Sequence, residues 1–160
     1  MDTAVSAALH SAGQREKPYR ISYQLEDRIT EHRMPWGELV AWSQEHDLLA
    51  LRLYVVISEP TSGLGPVLKN LDPHVAYQTR LENDGIMFAA GPLADDAEEQ
   101  WNGEGLFVYR ASSREEVVEI AESDPMHQSG ARRFVVHPWL LNEGTYNVRL
   151  FYSGGRPQIS

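Results

Sequence analysis

The chain has 160 residues, no cysteine, 14 basic and 23 acidic side chains, and a formal net charge of −9 at pH 7. The missing cysteines exclude disulfides, thiolate metal sites and cysteine nucleophiles, and the acidic balance disfavours nucleic acid and anionic membranes as partners because it repels their phosphates. No apolar run is long enough to cross a bilayer, and the first residues lack the apolar segment of a secretory signal, so we expect a cytoplasmic protein with one domain and an added arm.

Residues 1–47 are predicted to form an extension outside the main domain. Residues 1–18 are mostly small and polar without a clear period, which indicates a loose tail. Residues 19–25 alternate between apolar and polar side chains, as in a half-buried strand. A helix is predicted over residues 35–46, because its apolar side chains recur at helical spacing and it begins with a proline.

Residues 48–142 are predicted to form the main domain. Its strands are placed where apolar residues run together between turn residues, and its helices where apolar residues recur every three or four positions. The elements come in the order strand, helix, strand, strand, helix, strand. The predicted spans are 48–58, 73–82, 86–90, 106–109, 112–124 and 133–137. Ser112 and Ser113 are predicted to cap the second helix.

Side-chain caps and prolines set the predicted ends of these elements. The first helix is expected to start at Pro73 with Asp72 as its N-cap, since an aspartate accepts hydrogen bonds from the first free amides of a helix. A single turn of helix from Pro66 is expected to precede it. Pro125 is predicted to end the second helix and Pro138 the last strand, because proline cannot donate the backbone hydrogen bond that continues either element.

The order of the elements is that of a ferredoxin-like βαββαβ unit, an α+β fold. Both helices then cover one face of the sheet, and the other face would stay exposed in a monomer. We therefore predict a two-fold homodimer in which the sheets face each other. Residues 143–160 are predicted to add a C-terminal strand, over the alternating residues 146–152, and a tail. This strand and the one at 19–25 are expected to pair with each other or with the second subunit.

The segment from Leu48 to Trp139 resembles the YCII-related family, small proteins of the ferredoxin-like, dimeric α/β-barrel kind. Two positions depart from the family pattern: Leu71 stands where the family often has an arginine, and Met126 where it usually has an aromatic residue. The family's substrate is therefore not carried over. The residues that carry the resemblance are His74, Gly85, Ala90-Gly91-Pro92, Asp124-Pro125, Gly130 and Val136-His137-Pro138-Trp139.

The resemblance implies a catalytic pair formed by His74 and Asp124. A histidine can accept and return a proton near neutral pH, and a carboxylate bonded to one ring nitrogen fixes the tautomer and raises the basicity of the other. Without the resemblance, the sequence indicates only a partly buried helix histidine at His74 and a turn residue at Asp124. The residues that would complete the substrate pocket are Gly91, Ser129, Gly130, Leu71 and Met126.

Neither a metal nor a cofactor is expected. The other histidines are scattered along the chain without the spacing of a metal site. Gly63 and Gly65 lack the third glycine and the parallel-sheet context of a dinucleotide loop. The expected partners are a small-molecule substrate and a second copy of the chain.

The resemblance implies a cofactor-free acid–base lyase that acts on a small cyclic or aromatic compound. An activity known in the YCII-related group is the dehydrochlorination of a chlorinated hydroxyhydroquinone to a hydroxybenzoquinone. One histidine could remove a phenolic proton and then protonate the carbon that bears chlorine. Two alternatives remain open: a non-catalytic dimeric module that binds and senses a small metabolite, and an isomerase similar to muconolactone isomerase.

Overall fold

The structure, a computed structural model, describes residues 33–149 and 158–159. The predicted tail 1–18 and the predicted strand 19–25 lie outside these residues. No helix in the described part is long and apolar enough to cross a membrane. The elements, in chain order, are α1 (Trp36–Glu45), β1 (Leu51–Pro60), α2 (Leu64–Lys69), α3 (Leu71–Asn83), β2 (Met87–Pro92), β3 (Gly105–Tyr109), α4 (Arg114–Glu122), α5 (Pro125–Gln128), β4 (Arg132–Leu141), β5 (Val148–Arg149) and β6 (Gln158–Ile159).

Four antiparallel strands form one sheet in the order β2-β3-β1-β4. The central strand β1 pairs with β3 on one side and β4 on the other, so that Val55 lies opposite both Val108 and His137. The helices α3 and α4 are inserted between β1 and β2 and between β3 and β4. This is the ferredoxin-like α+β arrangement, and the fold predicted from the order of the elements is confirmed.

One face of this sheet packs against the helices and forms the main core. From the helices, Tyr77 and Leu81 of α3 and Val117 of α4 contribute buried side chains. Side chains on this face of the strands therefore point towards α3 and α4. The strand residues in this core are Tyr54, Val56, Phe107, Tyr109 and Val136.

The opposite face of the sheet carries the alternate residues of the same strands. Pairing across three strands brings Ile57, Leu106 and Val135 side by side on this face. Val135 is 52% exposed and Trp139, on the same face of β4, is 36% exposed. The predicted homodimer would bury these side chains, since large apolar residues clustered on one face favour association.

The central strand begins later than the sequence predicts. β1 starts at Leu51 rather than Leu48. Ala50 adopts a φ of +49°, which lies in the left-handed region and cannot continue an extended strand. The chain therefore turns at Ala50 before it enters the sheet.

The first predicted helix also starts earlier than expected, and Asp72 is not its N-cap. α3 begins at Leu71 with Asn70 at the cap position, and Asp72 lies in its first turn. The side-chain amide of Asn70 donates to the carbonyl of Pro66 at 2.8 Å. Because α2 leads directly into α3, the chain is already helical before Asp72 and needs no cap there.

The structural roles of Pro125 and Pro138 differ from those predicted. Pro125 follows α4 as predicted, but it also begins the short helix α5, with Asp124 as the N-cap. Pro138 does not end β4, which continues to Leu141. β4 is at the edge of the described sheet, where proline is tolerated because a backbone amide that faces away from the sheet needs no partner strand.

The C-terminal strand finds its partner in a strand that the sequence analysis did not predict. β5 pairs antiparallel with β6, with Val148 opposite Ile159. The remaining predicted strand residues, 150–152, lie outside the described part of the chain.

Candidate active site

A cavity of about 500 Å³ lies between α3 and the strands β2 and β3. Its volume is in the range of pockets that hold small organic molecules. Trp101, in the loop before β3, contributes an aromatic wall and is fixed by a hydrogen bond from its Nε1 to the carbonyl of Glu104 at 2.7 Å. Residues from five segments meet at the cavity, among them His74, Gln78, Gly91, Trp101, Phe107 and Arg132.

The imidazole of His74 lies at the cavity wall and is held from behind by Asp124. Its Nδ1 lies 2.9 Å from Oδ1 and 2.8 Å from Oδ2 of Asp124, although 50 positions separate the two residues in sequence. Both residues are buried, with 8% and 2% of their surface exposed. Because Nδ1–H donates to the carboxylate, Nε2 is the nitrogen left for a ligand, and it has no hydrogen-bond partner within the described residues. The edge of the ring meets Phe107, with centroids 5.6 Å apart.

A second donor, Gln78, orients the carboxylate. Its Nε2 donates to Oδ2 of Asp124 at 2.6 Å, and its Oε1 accepts from the hydroxyl of Tyr109 at 3.0 Å. Burial raises the pKa of Tyr109, so this hydroxyl stays protonated and acts as the donor. The tyrosine therefore fixes the orientation of the Gln78 amide, and the amide in turn can only donate to Asp124.

Asp124 is ionised in this setting. Burial alone would raise the pKa of its carboxyl group, but the hydrogen bonds from His74 and from the backbone amide of Met126 lower it below its ordinary value. The amide of Met126 donates to Oδ1 at 2.8 Å because Asp124 caps α5. A helix cap and a histidine thus share one buried carboxylate, which can stabilise a positive charge on the imidazole.

Comparison with known proteins agrees with the resemblance noted from the sequence. The model of the YCII-related domain matches residues 53–140, which is more than half of the chain. The chain belongs to the YCII-related family. No curated protein matches the chain. Among solved structures, 5-chloro-2-hydroxyhydroquinone dehydrochlorinase from Burkholderia phenoliruptrix, in complex with 2,5-dihydroxybenzoquinone, is similar to it, with 19% identity and a TM-score of 0.44 over 54% of this chain and 92% of that one.

The cavity of this YCII-related domain includes some of the pocket residues expected from the sequence and not others. Leu71 and Gly91 line it beside His74. Met126 does not, because α5 directs its side chain into a fully buried cluster with Val67 and Ala131.

Ser129 and Gly130 also lie away from the cavity, in the exposed turn between α5 and β4. The hydroxyl of Ser129 donates to the carbonyl of Met126 at 3.2 Å. Gly130 adopts a φ of +72°, a conformation that favours glycine. Both residues therefore shape the turn that leads into β4.

Gln78 and Arg132 are among the cavity residues that were not identified from the sequence. Gln78 follows His74 by four positions, and this spacing puts both side chains on the same face of α3. Arg132 begins β4 on the face that Phe134 and Val136 direct towards the core. A charged residue on the core face of a strand is a signal that alternation could have revealed.

Of the other histidines, His46, His127 and His137 lie within the described residues. Within residues 33–149 and 158–159, no three histidine, aspartate or glutamate side chains are grouped closely enough to hold a metal ion. His127, for example, is used inside the protein, since its Nδ1 donates to the carbonyl of Ala121 at 2.7 Å and its Nε2 accepts from Ser58 at 2.8 Å.

Proposed function

We propose that the cavity is the active site of a cofactor-free acid–base lyase that acts on a small cyclic or aromatic compound. The observation that carries this proposal is the His74–Asp124 pair at the cavity wall. Nδ1 of His74 is hydrogen-bonded to the buried carboxylate of Asp124, and Nε2 is free to contact a ligand. A base that is held in one tautomer beside a pocket of this size can transfer a proton to and from a bound molecule.

The pair can serve as base and then as acid. Nε2 of His74 accepts a proton from a hydroxyl group of the substrate, and the imidazolium that forms is stabilised by the ionised Asp124. The electrons released into the ring make a ring carbon basic. The same imidazolium then returns the proton to that carbon, so that His74 is neutral again at the end of the step.

The reaction we favour is dehydrochlorination of a chlorinated hydroxyhydroquinone, an activity known in the YCII-related group. The proton taken from a phenolic hydroxyl is returned to the carbon that bears chlorine, which gives a keto tautomer. Loss of a second hydroxyl proton and of chloride then yields a hydroxybenzoquinone and HCl. The aromatic side chains of Phe107 and Trp101 in the wall suit a flat ring of this kind.

The test is a turnover screen of the full chain in the presence of a metal chelator. Chlorinated and non-chlorinated hydroxyhydroquinones, lactones and enols are offered, and free chloride and product masses are measured. We expect chloride release from the chlorinated ring, one solvent deuterium at the carbon that loses chlorine when the reaction runs in D₂O, and no effect of the chelator.

Other outcomes separate the alternatives. A product of unchanged mass without chloride would indicate an isomerase. Tight binding of these compounds without any turnover would indicate a metabolite-sensing module and would contradict the proposal. Loss of turnover with the chelator, restored by a metal ion, would contradict the cofactor-free mechanism.

A further inference from the structure

Arg132 is a buried cation at the wall of the cavity. Only 5% of its surface is exposed, and it lines the cavity together with His74 and Phe107. As the first residue of β4, it shares the helix-covered face of the sheet with apolar core residues. A guanidinium group in such a position needs partners, because burying a charge without them is costly.

Within the part of the chain that the structure describes, the guanidinium of Arg132 lacks the hydrogen bonds and ion pairs that a buried charge needs. Its Nε is buried without a hydrogen-bond partner, and no carboxylate among the described residues forms an ion pair with it. The next residue behaves differently: Arg133 is exposed and pairs with Glu59 at 2.8 Å. Burial lowers the pKa of Arg132 while the charge of Asp124 acts in the opposite direction. Guanidinium groups stay protonated in proteins, so Arg132 is a cation with unused donors.

Arg132 lines the cavity beside Gly105, at the start of β3. A Cβ added at Gly105 would come 3.4 Å from Nη1 of Arg132 and 3.6 Å from the carbonyl of Gly91. A side chain at this position would therefore be in van der Waals contact with the guanidinium, and glycine leaves that wall of the cavity without one. Two carboxylates, Glu82 and Glu104, also line the cavity, but neither is in ion-pair contact with Arg132.

We infer that Arg132 binds an anionic oxygen attached to the ring of the substrate, and so selects ring compounds that carry one. Two parallel N–H groups of a guanidinium match the oxygens of a carboxylate, and one such group suits a phenolate. This inference rests on the proposed function of the cavity. In that reaction, Arg132 stabilises the oxygen that becomes negative when His74 removes its proton.

The experiment compares two probes of nearly equal shape and different charge, 4-hydroxybenzoate and 4-hydroxybenzamide, by titration calorimetry with the full chain. We expect the wild-type protein to bind the benzoate at least about tenfold more tightly than the benzamide. Arg132→Met should abolish this preference, and Arg132→Lys should keep only part of it because lysine has no fork of donors.

Arg133→Met is the matched control, since it removes the neighbouring exposed arginine and should leave the preference unchanged. Arg132→Met should not lower the midpoint of thermal unfolding and should raise it by a few degrees, because the folded protein loses an unpaired buried charge. If Arg132→Met does not fold, Arg132→Lys alone decides: the preference must fall by about threefold or more.

The inference is overturned if the wild-type protein binds neither probe or binds both equally. It is also overturned if Arg132→Met keeps the preference, or if Arg133→Met loses it to the same extent. His74→Ala separates this result from the proposed function. If the wild-type protein shows no turnover and His74→Ala still prefers the anionic probe, the proposed lyase activity is wrong and the anion site at Arg132 stands.

Discussion

The chemistry of the site depends on one buried carboxylate that three donors share. Asp124 accepts from the ring of His74, the amide of Gln78 and the backbone of Met126. Each donor is buried, so each would lose a hydrogen bond without replacement by water if the carboxylate were removed. The same contacts keep Asp124 ionised and hold the histidine in one tautomer, so stability and proton transfer depend on the same residue.

The first prediction concerns Asp124→Asn. Asparagine keeps one acceptor oxygen but cannot satisfy all three donors, so we expect a loss of about 2 kcal/mol in the free energy of unfolding at pH 7. The pKa of Asp124 is lowered in the folded protein, so its contribution is complete above the ordinary carboxyl range and disappears as the pH falls below about 4. Urea unfolding at pH 7 and pH 3 measures this. A difference between the two proteins that is as large at pH 3 as at pH 7 would contradict it.

A partly buried group, His127, predicts a loss of stability at mildly acidic pH. Burial lowers the pKa of His127, although its hydrogen bond to the carbonyl of Ala121 opposes the shift. The folded protein thus keeps the ring neutral while the unfolded chain binds a proton below about pH 6.5, so stability should fall as the pH drops from 7 towards 5. His127→Gln should flatten this dependence. Equal slopes for His127→Gln and the wild-type protein would refute the assignment.

At the scale of the elements, the sequence predicts the order of helices and strands well and their ends less well. Alternation and helical spacing reflect which side chains are buried, and burial decides the element type. The ends depend on neighbours instead: Asp72 is not a cap because α2 precedes it, and Pro138 does not end β4 because that strand lies at the sheet edge. The contact between His74 and Asp124 requires α3 and the start of α5 to pack together, which local patterns do not reveal and the family resemblance implied.

One helix end was predicted correctly and offers a test of local capping. Ser113 is the N-cap of α4, and its hydroxyl accepts from the backbone amide of Glu116 at 3.2 Å. Ser113→Ala should lower the free energy of unfolding by about 1 kcal/mol, and Ser113→Asp, which can also cap, should restore most of it. Chemical denaturation of the three proteins measures this. An aspartate variant as unstable as the alanine variant would show that capping is not the cause.

At the scale of the whole molecule, the sheet face opposite α3 and α4 is the expected site of self-association. We expect a homodimer in which this face is buried, because Val135 and Trp139 present large apolar surface on it. Val135→Glu should therefore produce a monomer in sedimentation at micromolar concentration. Leu68→Glu, an equally exposed apolar position on α2, is the control and should leave the dimer intact. A wild-type protein that sediments as a stable monomer would contradict the expected assembly.

The central claim is that His74 moves the proton in this cavity, and the turnover of His74→Ala tests it most directly. With a substrate that the wild-type protein converts, we predict that kcat falls by at least about 100-fold, while the affinity for that substrate, measured by titration, changes by only a few-fold. The cavity is formed by many other side chains, so it should still bind the ring. A His74→Ala protein that keeps the wild-type kcat would contradict the account.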